Sequence, residues 1–315
     1  MDMDNAAQED LGHYLSPFEP TFLRCPYGWP ESGSSRVSVI GVPHDLLSRT
    51  GAGAASGPSA LRVASSHPAY RLDETSGQPA GWFDYYENRQ ILTGVTFVDL
   101  GDIVFPHGAA ASELGRRLSA VVALCHKSGS FPLLLGGDHS LTYWSVEALA
   151  AQPLSVLHLD AHSDLAAIPG PAHCNASVAT ALLRLPGVAS LVTVGLRGIL
   201  PAHQDPLRSG HHLVSVKDLR QQGAEAIVDL LPADLPCYVS LDVDVLDPSI
   251  APGTNSPEPD GLSFQEVREI LVTAAKRRRI IAADVVEINA FHDTRLLTAK
   301  LATRLILSLL GACVS

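Results

Sequence analysis

Val156-Leu157-His158-Leu159-Asp160-Ala161-His162-Ser163-Asp164 joins an apolar run to three polar residues at alternate positions. The run is continuous, which is the pattern of a strand buried on both faces of a parallel sheet. Alternate side chains of an extended chain point the same way, so Asp160, His162 and Asp164 are expected to converge where the strand ends. The run begins at Leu154, and similar runs recur over Val37 to Val42, Thr96 to Leu100, Phe131 to Leu135 and Leu191 to Leu196. Others cover His212 to Val216, Cys237 to Val245 and Ile280 to Ile288.

Helical spacing of apolar residues separates many of these runs, over Ala109 to Lys127, Ser140 to Ala150, Ser263 to Arg277 and Thr294 to Leu310. Ser263 followed by Glu266 is a capping box. The basic run Lys276 to Arg279 reads as a solvated helix end that complements the dipole. The expected fold class is α/β: a single three-layer α/β/α domain with a mostly parallel sheet of about eight strands. It covers residues 36–315, after a Pro-, Ser- and Gly-rich arm over residues 1–35 that is expected to lie on the surface. Ligands of such folds bind outside the carboxyl ends of the strands.

The chain has 315 residues, 46% hydrophobic and 17% charged, which suits a sizeable core. A formal charge of −11 argues against nucleic acid or an anionic membrane as partner. No apolar run approaches a membrane span in length, and Met1 to Gly12 is acidic with no apolar signal region. Five cysteines at irregular spacing argue for a reducing compartment, and the expected location is the cytoplasm.

Two further segments follow apolar runs: Gly136-Gly137-Asp138-His139-Ser140, and Ser240-Leu241-Asp242-Val243-Asp244-Val245-Leu246-Asp247-Pro248. With the first, they bring His139, Asp160, His162, Asp164, Asp242 and Asp244 to neighbouring strand ends. Carboxylates mixed with imidazole suit Mn²⁺, Zn²⁺, Ni²⁺ or Fe²⁺ better than Ca²⁺. Six such ligands exceed what one catalytic ion with an open position needs, which favours two ions sharing bridging carboxylates.

In these segments the chain resembles the ureohydrolases, the arginase and agmatinase superfamily, and most closely its agmatinase-like branch. The resemblance runs from Val39-Ile40-Gly41-Val42-Pro43 to Leu310. It includes Gly57-Pro58-Ser59-Ala60-Leu61-Arg62, Val192 to Gly198, Ala251-Pro252-Gly253-Thr254 and Asp284-Val285-Val286-Glu287-Ile288. The resemblance implies one ion on His139, Asp160, Asp164 and Asp242, and a second on Asp160, His162, Asp242 and Asp244. The family usually uses Mn²⁺, some members Ni²⁺, to supply hydroxide that attacks the amidine carbon of a guanidino or formimino group. Glu287 would pair with the substrate guanidinium, and His173 would shuttle protons. Asp138 and Asp247 would orient ligands. A homo-oligomer, a trimer or hexamer, is implied as well.

Departures from the family pattern surround the expected pocket. The usual His-Gly is His173-Cys174-Asn175, so Cys174 and Asn175 become candidate substrate contacts, and the preceding loop, Leu165-Ala166-Ala167-Ile168-Pro169-Gly170, is short and apolar. Gly198 follows Arg197, and Asn255 and Asp260 replace glycines. The expected activity is hydrolysis of a linear C–N bond in a guanidino compound such as agmatine, a guanidino acid or a small alkylated guanidine, releasing urea and an amine. The alternatives are a formimidoylglutamate hydrolase releasing formamide, and a non-catalytic regulatory subunit of a heteromer. Trp82, Tyr85 and Tyr86 are expected in a loop, and His44 after the first strand could line the pocket.

Overall fold

A computed structural model describes residue 8 and residues 11–30, 37–106, 108–168, 173–198 and 210–314. Strands form at β1 (Leu15–Ser16), β2 (Val37–Val42), β3 (Trp82–Asp84), β4 (Arg89–Ile91), β5 (Phe97–Ile103) and β6 (Phe131–Gly136). They continue with β7 (Leu154–Leu159), β8 (Val188–Leu196), β9 (His211–Ser215), β10 (Pro236–Asp242) and β11 (Arg279–Val286). Nine of them make one sheet in the order β1-β5-β2-β6-β11-β10-β7-β8-β9. All its pairings are parallel except β1 with β5. Every residue of β2, β6 and β7 is buried, as continuous apolar runs require.

Helices cover both faces: α1 (Gly57–Ser65), α2 (Ala111–Lys127), α3 (Leu141–Leu149), α4 (Val178–Leu182), α5 (Val216–Val228), α6 (Phe264–Arg277) and α7 (Leu297–Cys313). One core joins Val39, Leu133, Leu157, Val239 and Val285 to Leu61 of α1, Val228 of α5, Ile270 of α6 and Leu305 of α7. The other joins Ile40, Leu134, Val156, Tyr238 and Ala282 to Leu118 of α2, Val146 of α3 and Leu182 of α4. Successive strand residues go to opposite faces, and the result is the expected three-layer α/β/α fold.

Four details differ from the sequence expectation. The eight expected strands are all present, and the ninth, β1, is a two-residue antiparallel edge too short to leave a pattern. Trp82 belongs to a hairpin, β3 with β4, and Tyr85 and Tyr86 lie in its exposed connection. The leading segment does not simply lie on the surface: Phe22 and Leu23 are wholly buried, and the Phe22 N–H donates to Asp99 Oδ2 at 2.7 Å. The same carboxylate receives Arg62 Nε at 2.8 Å, which ties this segment to α1 and β5. The boundary between residues 35 and 36 lies outside the described residues. Finally, Thr294–Cys313 is long and apolar enough to cross a membrane by length and composition. Its apolar residues serve the core here, with Leu305 and Leu310 fully buried.

The sheet order makes β6, β11, β10 and β7 neighbours, so their carboxyl ends open onto one place. Leu241 of β10 is in register with Leu159 of β7, and Asp242 with Val286 of β11.

Candidate metal centre

Each motif begins as its strand stops, and each is shaped by an aspartate that accepts from the N–H two residues on. Asp138 Oδ1 accepts from Ser140 N at 3.0 Å, Asp160 Oδ1 from His162 N at 2.5 Å and Asp242 Oδ1 from Asp244 N at 2.9 Å. These are Asx-type turns, in which a side chain replaces the sheet partner the backbone has lost. The acidic residues therefore converge by turning, not by extended alternation. Val243–Val245 is a 3₁₀ turn, and Asp164 has φ 50°. At Gly137 a Cβ would stand 2.0 Å from the His44 carbonyl oxygen, so only glycine lets the chain leaving β6 run this close to the end of β2 and deliver His139.

His139 Nδ1 stands 3.1 Å from Asp160 Oδ2, 3.1 Å from Asp242 Oδ2 and 3.5 Å from Asp164 Oδ2. His162 Nδ1 stands 3.0 Å from Asp244 Oδ2 and 3.4 Å from Asp160 Oδ1. Two sets of ligand atoms, each within 4.8 Å of one another, result: His139, His158, Asp160 and Asp164, and Asp160, His162 and Asp244. Asp160 belongs to both, with Oδ2 toward His139 and Oδ1 toward His162. Asp242 joins through its contact with His139. The six expected ligands are brought together, and His158 is an addition that the strand reading passed over as an ordinary buried position.

The hydrogen bonds behind His139 fix its tautomer. Ser240 Oγ donates to Asp284 Oδ1 at 2.7 Å, while Thr142 Oγ1 and Tyr238 OH donate to Asp284 Oδ2, each at 2.7 Å. With its proton committed, Ser240 Oγ accepts from His139 Nε2–H at 2.9 Å. In the neutral ring the His139 Nδ1 lone pair is then free for a cation held among the three carboxylates. Without one, burial opposes the ring's charge but Asp160 and Asp242 hold its pKa well above the ordinary imidazole value. Nδ1 is buried with no hydrogen-bond partner, as is Asp160 Oδ2. Bare, the cluster is electrostatically frustrated: burial and neighbouring acids raise Asp164 and Asp242 well above the usual carboxylate range. Burial opposes the charge of His162, yet Asp160 and Asp244 push it up to about 12. Orphaned donor atoms and repelling acids around one point are what divalent cations relieve, so the residues fit two metal ions.

Glu287 leaves β11 with φ 65°, held by its N–H to the Gly137 carbonyl at 2.9 Å. Its Oε1 accepts from His139 N at 2.8 Å and from Asn175 Nδ2 at 3.2 Å. Burial, then Asp138, raise the Glu287 carboxyl to about 7. Asn175 Oδ1 in turn accepts from Arg49 N at 3.0 Å, which joins the Ser48–Thr50 loop to the site. Glu287, Asn175, Thr50, Leu165, Ala166, Ala176 and Ser256 line a cavity of about 370 Å³ above the ligand atoms.

Other expected site residues stand elsewhere. His173 does not line the cavity. Its Nε2–H donates to the Ser140 carbonyl at 2.8 Å, and its ring packs 4.4 Å from Tyr143 and 4.9 Å from Trp144. An aromatic ledge and a carbonyl satisfy this buried imidazole, which departs from the expectation of a proton shuttle facing the substrate. Cys174 donates its N–H to Ser177 Oγ at 2.9 Å and closes a turn outside the cavity lining. Asp138 anchors the loop after β2 through Leu47 N at 3.2 Å. Asp247 accepts from Ser249 N at 3.0 Å and Gly261 N at 2.9 Å, which makes it a turn residue beyond the centre. His44 is buried against Phe105 and is not in the cavity lining. Pro169 and Gly170 of the apolar loop lie outside the described residues.

A family model described as "Arginase family" matches residues 35–311. A proclavaminate amidinohydrolase of Streptomyces clavuligerus is 33% identical over 300 residues, 91% of this chain and 90% of that protein. An agmatinase of Enterobacter sp. (strain 638) is 28% identical over 300 residues, 92% of this chain and 91% of the relative. Among solved structures, a hypothetical agmatinase from Burkholderia thailandensis superposes with a TM-score of 0.80 at 28% identity, covering 93% of this chain and 90% of that one. The Streptomyces clavuligerus enzyme superposes with a TM-score of 0.77 at 30% identity, covering 95% and 99%.

Proposed function

The chain belongs to the arginase family and is a hydrolase of C–N bonds, and from that premise we propose a binuclear amidinohydrolase that cleaves a guanidino compound to urea and an amine. The observation that carries the proposal is the convergence of His139, Asp160, His162, Asp164, Asp242 and Asp244 directly beneath a cavity that also presents Glu287.

One ion would be held by His139, Asp160, Asp164 and Asp242, and the other by Asp160, His162, Asp242 and Asp244. Two such ions acidify water and so supply hydroxide near neutral pH. Imidazole and carboxylate accept both Mn²⁺ and Ni²⁺, and Mn²⁺ is the first to test. Glu287 Oε1 is occupied by the His139 N–H and by Asn175, which leaves Oε2 for a guanidinium; a carboxylate and a planar cation form a strong charge-assisted hydrogen bond. Asn175 keeps that carboxylate oriented. His173 is not assigned a proton-transfer role, because Ser140, Tyr143 and Trp144 enclose it.

Among the described residues lining the cavity none is Lys or Arg, and Leu165, Ala166 and Ala176 form part of its wall. That composition supports a guanidino compound without an amino-acid head group, and it favours agmatine or a small alkylated guanidine over a guanidino acid, whose carboxylate would meet no cation there. We also propose a cytoplasmic homo-oligomer, on the family resemblance and the five free cysteines.

Product release from a panel of guanidino and formimino compounds, with protein loaded separately with Mn²⁺ and Ni²⁺, tests the proposal. Urea from one compound is the expected result; formamide would replace it with formimidoylglutamate-type hydrolysis. Asp160→Asn should abolish turnover and lower metal occupancy while the fold persists, because Asp160 serves both ligand sets. Full activity of that variant would sink the two-ion reading.

A further inference from the structure

His158 is fully buried on β7, two residues before Asp160 and therefore on the same side of the strand. Its ring centroid is 4.7 Å from that of His139. Its Nδ1 pairs with Thr193 Oγ1 of β8 at 3.2 Å, the residue beside it in register. Its Nε2 lies 3.1 Å from Asp160 Oδ2. Both atoms are buried, both lack an aligned hydrogen bond, and they are complementary if Nε2 carries the proton.

The tautomers decide who donates to Asp160. His139 Nδ1 is equally close to Asp160 Oδ2, but with the ring's one proton on Nε2, given to Ser240, and Nδ1 taken by the first ion, it would have none to offer in the metal-loaded protein. The Thr193 hydroxyl can donate to His158 Nδ1, which leaves the proton on Nε2 facing Asp160. A buried N–H with no other acceptor costs free energy, and so does a buried carboxylate oxygen with no donor; each atom is the other's remedy.

We propose that His158 is a positioning residue of the metal centre: Thr193 sets its tautomer, and its Nε2–H holds Asp160 Oδ2 toward the first ion. The His162 N–H already holds Asp160 Oδ1, so His158 completes the orientation of the carboxylate that both ions would share by fixing Oδ2. Hydrogen bonds behind metal ligands tune affinity as well as geometry. The inference rests on the two-ion reading above and goes beyond it.

The test is metal affinity of the full chain, measured with Mn²⁺ alone by chelator competition, together with a count of bound ions at saturation. His158→Ala should weaken binding by about 10–100-fold while two ions still bind at saturation. His158→Gln, whose amide N–H can occupy the place of Nε2–H, should recover most of that loss. Thr193→Val should weaken binding too, by a smaller factor, and it stands in if the alanine variant does not fold. Wild-type affinity in His158→Ala, or in Thr193→Val where that variant stands in, overturns the proposal. Saturation at one ion with a changed Co²⁺ ligand-field spectrum also overturns it, since His158 would then be a ligand itself. If the unaltered protein binds fewer than two ions, the metal-centre reading fails first and this inference fails with it.

Discussion

The Glu287 carboxylate carries a consequence for substrate binding that its position on the chain does not reveal. Burial, then Asp138, hold its carboxyl up to about 7, and a guanidinium stays protonated far above that. A proton on Glu287 and a guanidinium beside it compete for the same oxygen. In the metal-free protein, affinity for a guanidinium ligand should therefore fall as pH drops below about 7, approaching tenfold per pH unit, because binding must displace the proton. Glu287→Gln should weaken that binding and flatten the dependence; an unchanged pH profile of affinity in the variant would remove Glu287 from guanidinium binding. At this scale the clustering of His139, Asp160, His162, Asp164, Asp242 and Asp244 was readable from residue type and spacing. His158 was not, because an imidazole in an apolar run gives no sign of what it faces. For His173 the chain pattern shows a histidine but not its neighbours: Tyr143, Trp144 and the Ser140 carbonyl determine where its ring goes.

At the scale of the element, strands end where an aspartate side chain takes over a backbone N–H. Asp138, Asp160 and Asp242 use the same two-residue reach, so each motif is both a terminator and a ligand platform. Helix α6 shows a purely local device: Ser263 Oγ accepts from Glu266 N at 3.2 Å, and Glu266 Oε2 accepts from Ser263 N at 2.7 Å. Ser263→Ala should cost about 1 kcal/mol of stability. A lower midpoint of thermal or denaturant unfolding, with unchanged metal affinity, is the expected result. No shift in midpoint would mean that packing alone holds the start of α6. Most strand and helix bounds followed from the apolar pattern to within a few residues. The run from Cys237 to Val245 did not, because apolarity continues through Val243 and Val245 while the backbone turns at Asp242.

Across the whole molecule, the sheet collects acids at one end, where bound cations would relieve their repulsion. His139 and His162 are raised in pKa, and so are Asp164, Asp242 and Asp244; Asp160 alone among the ligands is lowered. A raised group binds its proton more tightly folded than unfolded, so its contribution is present in acid and lost as pH rises. The lowered Asp160 runs the other way and is outnumbered. Metal-free protein should therefore lose stability between about pH 5 and about pH 8, while metal-loaded protein is protected, so the gap in melting temperature widens with pH. Melting curves with and without chelator across that range measure it; a gap that closes as pH rises would contradict this electrostatic account.

Layered class, parallel sheet and the cluster of histidines and aspartates are all present in local pattern, because burial on two faces demands unbroken apolar runs and the three motifs each follow one. Long-range contacts had to supply the remainder. The order β6-β11-β10-β7 makes neighbours of residues more than a hundred positions apart, and only that order lets Ser240 and Asp284 set the proton of His139. The burial of Phe22 and Leu23, the turning of His173 away from the cavity and the facing of His158 and Asp160 are likewise outcomes of packing. A side chain's neighbours follow from strand order and register, and no local spacing encodes either one.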